Sequence, residues 1–270
     1  MNKVCVKVNC YKGFSYEETL KGISNAGFKY VELSTSNGNS LGLSQNSSIE
    51  DVEKLKNDLN KYGLSAVAIG GNSYLMDDDT SKLLNNIRLA KLFNCKYVDT
   101  TMFNARNDAG LKANEEDVIK HMRFYIPYLK ENNLDLVIEL HGDYARGTVL
   151  SKLLNKVNSK NIHINYDTGN ALYWGKLSVE EMLIDFKDNI HNVSFMHIKD
   201  KLDDIDVWNF PAIGKGYIPF EKVFDILKIN KNESTLAVEI EFKEKGVDNV
   251  EEVNQALKDS YIYLQSMDMI

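Results

Sequence analysis

The sequence offers little that would indicate a secreted, membrane-bound or nucleic-acid-binding protein. Its three cysteines, Cys5, Cys10 and Cys95, lack C-x-x-C spacing, so neither a disulfide framework nor a cysteine zinc site is predicted. No apolar run approaches the roughly 18 residues of a membrane span, and the N-terminal residues contain no signal-peptide core. Acidic residues outnumber basic ones, 39 to 32, which gives no broad attraction to a polyanion. We therefore expect a cytoplasmic protein that binds neither membranes nor nucleic acid.

What the chain does contain is a regular alternation of strand and helix patterns. In one predicted helix, Val52, Leu55 and Leu59 form an apolar stripe after a Ser48 cap and before Gly63. The predicted strands are 4–8, 30–33, 64–69, 97–101, 134–140, 162–166, 193–198 and 236–240. The predicted helices are 16–26, 48–62, 80–93, 115–131, 148–157, 178–186, 220–227 and 250–264.

Eight strand–helix units predict an α/β fold, a (β/α)8 TIM barrel formed by residues 1–270 as a single domain. Strict alternation implies parallel pairing with right-handed crossovers, and eight units is the number that closes such a barrel. A doubly wound open sheet is the main alternative. No G-x-G-x-x-G follows the first predicted strand, however, and no stretch resembles a linker between two domains.

Each of the last four predicted strands carries a metal-competent residue at or near its C-terminal end. In a closed barrel these ends meet at one mouth, where buried carboxylates and an imidazole are costly unless a cation or hydrogen bonds compensate. A set of three carboxylates and one imidazole suits Mn²⁺, Mg²⁺ or Co²⁺, with Zn²⁺ possible. Asp167 is followed by Thr168 and Gly169, which also fits a simple turn cap. The four residues are Glu139, Asp167, His197 and Glu239.

Glu241 is an alternative to Glu239 in this set. The two residues are two positions apart, so strand alternation places both on the same side and does not separate them.

Five short motifs extend this pattern to a family resemblance. They are E-L-H-G at 139–142, D-T-G-N at 167–170, H-I-K-D at 197–200, G-K-G-Y at 214–217 and L-A-V-E at 236–239. In their order and spacing the chain resembles the sugar isomerase/epimerase superfamily, the xylose-isomerase-like TIM barrels. The match of L-A-V-E to the family pattern favours Glu239 over Glu241.

The resemblance implies a metal-dependent sugar or sugar-phosphate isomerase or epimerase. In such an enzyme Glu139, Asp167, His197 and Glu239 hold one divalent cation, and Glu139 and Glu239 move protons on opposite sides of the sugar. Candidate substrate-binding residues are His141, Asn170, Lys199 and Glu32. A structural role is the alternative for three of them: His141 as a core histidine, Lys199 in a salt bridge, and Glu32 as a structural glutamate. An inosose-type dehydratase and a non-catalytic sugar-binding barrel are the alternative functions.

Asn170 marks a departure from some relatives. Several epimerases carry His where this chain has Asn170, which weakens a tagatose- or psicose-type assignment. The endonuclease IV type needs additional histidines for a three-zinc cluster, and neither Asn170 nor the stretch 199–203 supplies one.

Substrate specificity is expected to depend on the mouth loops 34–48, 70–79, 104–114 and 201–216. Phe14, Trp174 and Trp208 lie in mouth-side loops and either form aromatic walls or anchor the loops. The sequence leaves open whether the substrate carries a phosphate and whether the protein forms a homo-oligomer. The basic mouth-side residues that could bind a phosphate are Lys12, Arg106, Arg146 and Lys199.

Overall fold

Eight parallel strands close into a barrel in which each strand pairs with the next and β8 pairs with β1. The computed structural model describes residues 2–71, 73–104, 113–242 and 247–270. The strands are β1 Val4–Lys7, β2 Tyr30–Ser34, β3 Ser65–Gly70, β4 Tyr97–Thr100, β5 Asp135–Glu139, β6 Ile162–Asp167, β7 Val193–Ile198 and β8 Thr235–Val238. The predicted TIM barrel is confirmed, and the open sheet is excluded.

Helices alternate with the strands and surround the barrel. They are α1 Tyr16–Ala26, α2 Ile49–Lys61, α3 Ser81–Leu92, α4 Glu115–Asn132, α5 Gly147–Val157, α6 Thr168–Tyr173, α7 Val179–Asn189, α8 Phe220–Ile229 and α9 Val250–Ser266. Short 3-10 helices occupy Val8–Tyr11, Gly142–Tyr144 and Ile190–Asn192. No helix in the described ranges is both long enough and apolar enough to cross a bilayer.

The helix ends follow local chemistry that the sequence displays. Ser48 caps α2 by accepting a hydrogen bond from the backbone N–H of Asp51, whose side chain in turn accepts from Ser48, as the predicted cap requires. Ser15 and Ser178 form the same reciprocal box with Glu18 and Glu181. Gly27 ends α1 in the left-handed region at φ 104°, which glycine adopts without steric cost.

Most predicted boundaries lie within two residues of the observed ones, and α7 extends three residues further than predicted, to Asn189. Three differences affect the mouth of the barrel. β1 ends at Lys7 because a 3-10 helix takes over at Val8, and β8 ends at Val238, two residues before the predicted end. The turn expected after Asp167 is instead the helix α6, which begins at Thr168. That helix was missed because a six-residue segment containing Gly169 shows no helical periodicity.

Two apolar layers hold the barrel together. The larger one lies between the strands and the surrounding helices, and includes Leu20, Leu55 and Phe224. A smaller cluster fills the barrel interior below the mouth, formed by Cys5, Val67, Ala68, Val137, Phe195 and Ala237. This interior plug supports the polar residues above it.

Candidate metal centre and substrate cavity

The strand alternation that predicts the barrel also builds the polar layer at its mouth. Successive inward-facing residues of a strand are two positions apart. Four strands therefore each place a charged or titratable side chain directly above a residue of the interior plug, and we call these side chains the polar layer. The pairs are Cys5 and Lys7 on β1, Val137 and Glu139 on β5, Phe195 and His197 on β7, and Ala237 and Glu239 at the end of β8.

The four predicted metal ligands lie together in this layer. Glu139, Asp167, His197 and Glu239 each present one ligand atom, and these four atoms all lie within 4.8 Å of one another. His197 Nδ1 is 3.4 Å from Glu239 Oε2, 3.6 Å from Glu139 Oε2 and 3.8 Å from Asp167 Oδ2. We call this set the acidic cluster. Each of its residues is at least nine-tenths buried.

Asp167 serves the helix and the cluster with different oxygen atoms. Its Oδ1 accepts a hydrogen bond of 2.8 Å from the backbone N–H of Asn170 and so caps α6. Its Oδ2 is buried and accepts no hydrogen bond from the described residues. The two interpretations of the sequence, a cap and a metal ligand, are therefore compatible.

The chemistry of the acidic cluster fits a divalent cation. Burial, with Glu239 and Glu139 nearby, raises the pKa of Asp167 to about 8 even though Lys199 opposes the shift. A buried carboxylate oxygen without a hydrogen bond, such as Asp167 Oδ2, is costly when it is charged unless a cation meets it. Three carboxylate oxygens and one imidazole nitrogen form a set suited to hard or borderline divalent ions.

Glu139 and Glu239 differ from Asp167 in their charge state. Burial opposes the ionisation of Glu139, but Lys7 and His197 outweigh it and hold the pKa of Glu139 well below its usual range. In the same way, Lys199 and Lys7 outweigh burial and lower the pKa of Glu239 to about 2. Both groups are thus anions near neutral pH and are able to accept a proton.

A second layer of hydrogen bonds orients His197. Its Nε2 donates to Glu32 Oε2 at 2.9 Å, which leaves Nδ1 facing the acidic cluster. A carboxylate on the far ring nitrogen fixes the ring orientation of metal-binding histidines. Asp99 shares this layer and accepts a 2.8 Å bond from Asn165 Nδ2, and burial raises the pKa of Asp99 to about 7.

Glu32, Asp99 and His197 also come close enough to form a second candidate cation group. The His197 ring nitrogen that faces Glu32 already donates to it, so these residues are better explained as the hydrogen-bonded support of the acidic cluster. Glu32 has no exposed surface and lies behind His197. This position favours orientation of His197 over the substrate contact predicted from the sequence.

Three residues of the site were missed in the sequence: Lys7, Asp99 and Asn165. Lys7 Nζ is 3.3 Å from Glu239 Oε1 and 3.5 Å from Glu139 Oε2. The signal that would have found Lys7 and Asp99 is the same alternation, because Lys7 follows Cys5 and Asp99 follows Tyr97 by two positions. Asn165 precedes Asp167 by two in the same way.

Lys199 and Glu241 form an ion pair at the edge of the site. Lys199 Nζ contacts the Glu241 carboxylate directly and lies 3.2 Å from Glu239 Oε2 and 3.8 Å from Asp167 Oδ2. These carboxylates outweigh burial and raise the pKa of Lys199. Glu239 belongs to the acidic cluster, whereas Glu241 lies outside it and is partly exposed.

Asn170 and His141 both line the cavity above the acidic cluster. Asn170 Nδ2 donates to Glu139 Oε1 at 3.0 Å and to the Leu140 carbonyl at 2.9 Å, so it holds one of the cluster carboxylates in place. His141 packs its ring against Trp174 with a centroid separation of 5.2 Å, and its buried Nδ1 has no partner among the described residues. Burial lowers the pKa of His141, which keeps the ring neutral.

The cavity has a volume of about 380 Å³ and opens between the predicted mouth loops. The loops after β2, β3 and β7 supply Ser36, Tyr74 and Trp208 to its wall, and Lys12 lies at its rim. Its floor and sides are formed by Lys7, Glu139, His141, Asn170, Lys199 and Glu239. This size and polarity suit a small polyhydroxylated molecule.

Among the described residues, the remaining aromatic and basic side chains that the sequence placed near the mouth make contacts within the protein. Trp174 packs against Trp208, and Phe14 packs its ring against Tyr11, so both stabilise loops. Arg146 donates to the Gly175 carbonyl. Arg106 and most of the 104–114 loop lie outside the described residues.

Comparisons with known proteins agree with this fold. Residues 20–263 match the protein family described as the xylose isomerase-like TIM barrel. A 143-residue stretch is 25% identical to the inosose dehydratase of Clostridium tetani (strain Massachusetts / E88) and covers 47% of each protein. The chain thus spans about half the length of this curated relative.

Two solved structures illustrate the structural likeness. The IolI protein with a bound zinc atom superposes with a TM-score of 0.76 at 16% identity, over 98% of both chains. L-ribulose 3-epimerase superposes with a TM-score of 0.75 at 14% identity, over 99% of this chain and 94% of the other. At these identities the likeness establishes the fold.

Proposed function

The chain belongs to the xylose isomerase-like TIM barrel family, and from this premise we propose that it is a divalent-metal-dependent isomerase or epimerase of a sugar or sugar phosphate. The observation that carries the proposal is the pair Glu139 and Glu239. Both line the cavity, both belong to the acidic cluster, and both are ionised near neutral pH, as a proton acceptor must be. A barrel that only bound a sugar would need no such pair of buried bases.

The residues that would hold the metal are Glu139, Asp167, His197 and Glu239. Their donor atoms suit Mn²⁺, Mg²⁺ or Co²⁺, with Zn²⁺ as a further candidate. When bound, the cation supplies Lewis acidity that stabilises negative charge on the substrate oxygens. Glu32 would keep His197 oriented for this task through its 2.9 Å hydrogen bond.

The chain's own residues then perform proton transfer. One of the two carboxylates, Glu139 or Glu239, removes a proton from the carbon next to the substrate carbonyl. The other returns a proton that it has taken up from solvent through the open cavity, and the first carboxylate afterwards releases its proton to solvent. Return to the same carbon on its opposite face gives an epimer. Return to the former carbonyl carbon gives an isomer, in which the neighbouring hydroxyl loses its proton to become the new carbonyl and the old carbonyl oxygen gains one. Asn170 would hold Glu139 in position, and the Lys199 ammonium would face a substrate oxygen.

Dehydration of a keto-polyol is the second candidate. The observation that favours it is the partial match to an inosose dehydratase. The chemistry begins with the same proton abstraction, after which the electron pair expels hydroxide from the next carbon in place of a returning proton. A barrel that binds a sugar without turnover is the third candidate.

Carbon-bound hydrogen exchange tests all three candidates in one experiment. The protein is incubated in D₂O with Mn²⁺ and a set of keto-sugars, their phosphates and inososes, and each substrate is followed by NMR. We expect deuterium at the carbon next to the carbonyl for at least one compound. A new epimer or isomer supports the first candidate, and an enone product supports dehydration.

Glu239→Gln and Glu139→Gln should each abolish this exchange. Because both residues are also proposed metal ligands, bound Mn²⁺ must be measured on the same samples, so that loss of the metal is distinguished from loss of the base. Glu233→Gln is the matched control, since Glu233 is exposed just before β8 and should exchange like the wild type. Tight sugar binding without exchange would replace the enzyme proposal with the binding barrel.

A further inference from the structure

Lys7 is a buried cation at the centre of the polar layer. It points inward from the end of β1, and only 7% of its surface is exposed. Four carboxylates surround its ammonium nitrogen. They are Glu239 at 3.3 Å, Glu139 at 3.5 Å, Glu32 at 3.8 Å and Asp99 at 4.0 Å.

The place of Lys7 is fixed by closure of the barrel. Lys7 pairs in register with Glu32 on β2, and Val6 pairs with Val238 on β8, immediately before Glu239. The ammonium is thus held between anions carried by, or directly following, both neighbouring strands. Lys7 therefore neutralises part of the negative charge of the polar layer whatever else is bound.

The ammonium also lies close to the proposed metal position. Lys7 Nζ is 3.3 Å from His197 Nδ1, the ring nitrogen that faces the other three ligands of the acidic cluster. A cation on that nitrogen at the usual bond length of about 2.1 Å would lie no more than roughly 5.4 Å from the ammonium. Two positive charges at that separation, away from bulk water, repel each other strongly.

We propose that Lys7 is a fixed internal counter-ion of the acidic cluster. Its ammonium holds Glu139 and Glu239 in place before the metal binds, and its positive charge weakens the binding of a divalent cation by repulsion. The inference rests on the proposed function, because it assumes that the acidic cluster is the metal site. It makes Lys7 a positioning residue that sets the occupancy of the site. The metal-free protein keeps its ligands ordered, and the bound cation exchanges readily.

Removing the charge of Lys7 should therefore raise the affinity for Mn²⁺ and lower the stability of the metal-free protein. Metal is removed with a chelator, and Mn²⁺ is titrated back by calorimetry or by the EPR signal of free Mn²⁺. In Lys7→Met we expect Mn²⁺ to bind at least tenfold more tightly than in the wild type, and the metal-free melting temperature to fall. A purely structural lysine would lower both stability and affinity when replaced.

Two further variants separate charge from side-chain shape. Lys7→Arg keeps the positive charge and should bind Mn²⁺ no more tightly than the wild type. Lys3→Met removes an exposed lysine at the other end of β1, about 13 Å away along the strand, and should leave the affinity unchanged. Unchanged or weaker Mn²⁺ binding in Lys7→Met would overturn the inference.

The outcomes also distinguish this inference from the proposed function. If the wild type binds Mn²⁺ and Lys7→Met binds it no better, the inference fails and the proposed metal site stands. If the wild type binds no divalent cation, both fail. Should Lys7→Met fold only with metal, the loaded variant is dialysed against chelator. The inference then requires slower loss of metal than from the wild type, and equal or faster loss contradicts it.

Discussion

Glu32 illustrates how a residue that meets no substrate can still control this site. It is fully buried, and its carboxylate accepts the 2.9 Å hydrogen bond from His197 Nε2. That bond selects the ring tautomer whose Nδ1 is free to bind a cation. Losing such an outer partner typically costs about 10- to 100-fold in metal affinity or activity.

We therefore predict that Glu32→Gln weakens Mn²⁺ binding by about tenfold or more. The amide that replaces the carboxylate can present its NH₂ group to the His197 ring and favour the tautomer whose proton is on Nδ1. The measurement is a calorimetric Mn²⁺ titration of chelator-treated protein. Glu50→Gln, at an exposed position in the first turn of α2, is the control and should bind as the wild type does. An unchanged affinity in Glu32→Gln would show that this hydrogen bond does not orient the ligand.

The loop between β7 and α8 is held by one buried carboxylate. Asp200 Oδ2 accepts from the backbone N–H groups of Gly214 and Gly216 at 2.9 and 2.8 Å, and Oδ1 accepts from those of Lys201 and Ile218 at 2.7 and 3.2 Å. A Cβ at Gly216 would lie 2.2 Å from the Lys201 carbonyl oxygen, so only glycine fits there. The H-I-K-D and G-K-G-Y motifs thus join to close this loop.

Asp200→Ala should destabilise the protein by about 2–4 kcal/mol, because four backbone donors lose a charged acceptor in a largely buried place. Urea unfolding gives the free-energy change, and hydrogen exchange should become faster across residues 201–218. Asp204→Ala in the same loop is the control, since that side chain is exposed and its change should stay within about 0.5 kcal/mol. Equal stability of the two variants would contradict an anchoring role for Asp200.

At the level of elements, sequence patterns predicted every strand and every long helix, with most boundaries within two residues. Those patterns are local: apolar spacing, Ser caps and the glycine after α1. The acidic cluster was predictable for the same reason, since its residues end strands along one chain direction. The contacts of Lys7 were missed, because alternation places its side chain inside the barrel but does not show which distant carboxylates, Glu139 and Glu239, its ammonium will reach.

The three cysteines report on the integrity of the whole barrel. Cys5 lies in the interior plug, Cys10 is in the first 3-10 helix, and Cys95 lies just before β4. All are buried, and burial raises the pKa of Cys10 to about 12 and the pKa values of Cys5 and Cys95 well above the usual range. Since the thiolate is the reactive form, all three should be inert in the folded state.

We predict that iodoacetamide at pH 8 modifies none of these cysteines in the native protein and all three in urea, as read by mass spectrometry. The unfolded sample is its own control for reagent activity. Rapid alkylation of Cys5 under native conditions would show that the barrel interior opens without global unfolding.

Binding of a cation to the folded state alone must also stabilise the whole molecule. At a free metal concentration about 100 times the dissociation constant the gain is roughly 2.7 kcal/mol. For a chain of this size that corresponds to a rise of about 5–10 °C in melting temperature. We expect this shift on adding Mn²⁺ to chelator-treated protein, measured by scanning calorimetry.

Asp167→Asn is the informative variant for this measurement, because the two oxygens of Asp167 have separate tasks. The Asn side-chain oxygen can still accept the hydrogen bond from the Asn170 backbone that caps α6, while Oδ2, the oxygen that can ionise to meet a cation, is replaced by an NH₂ group. The variant should therefore melt near the wild-type temperature without metal, since the cap is kept and the raised pKa of Asp167 leaves that side chain largely uncharged near neutral pH in the metal-free protein. It should show little or no rise with Mn²⁺. A full rise in Asp167→Asn would mean that the stabilising cation does not depend on Asp167 and would contradict its assignment as a metal ligand.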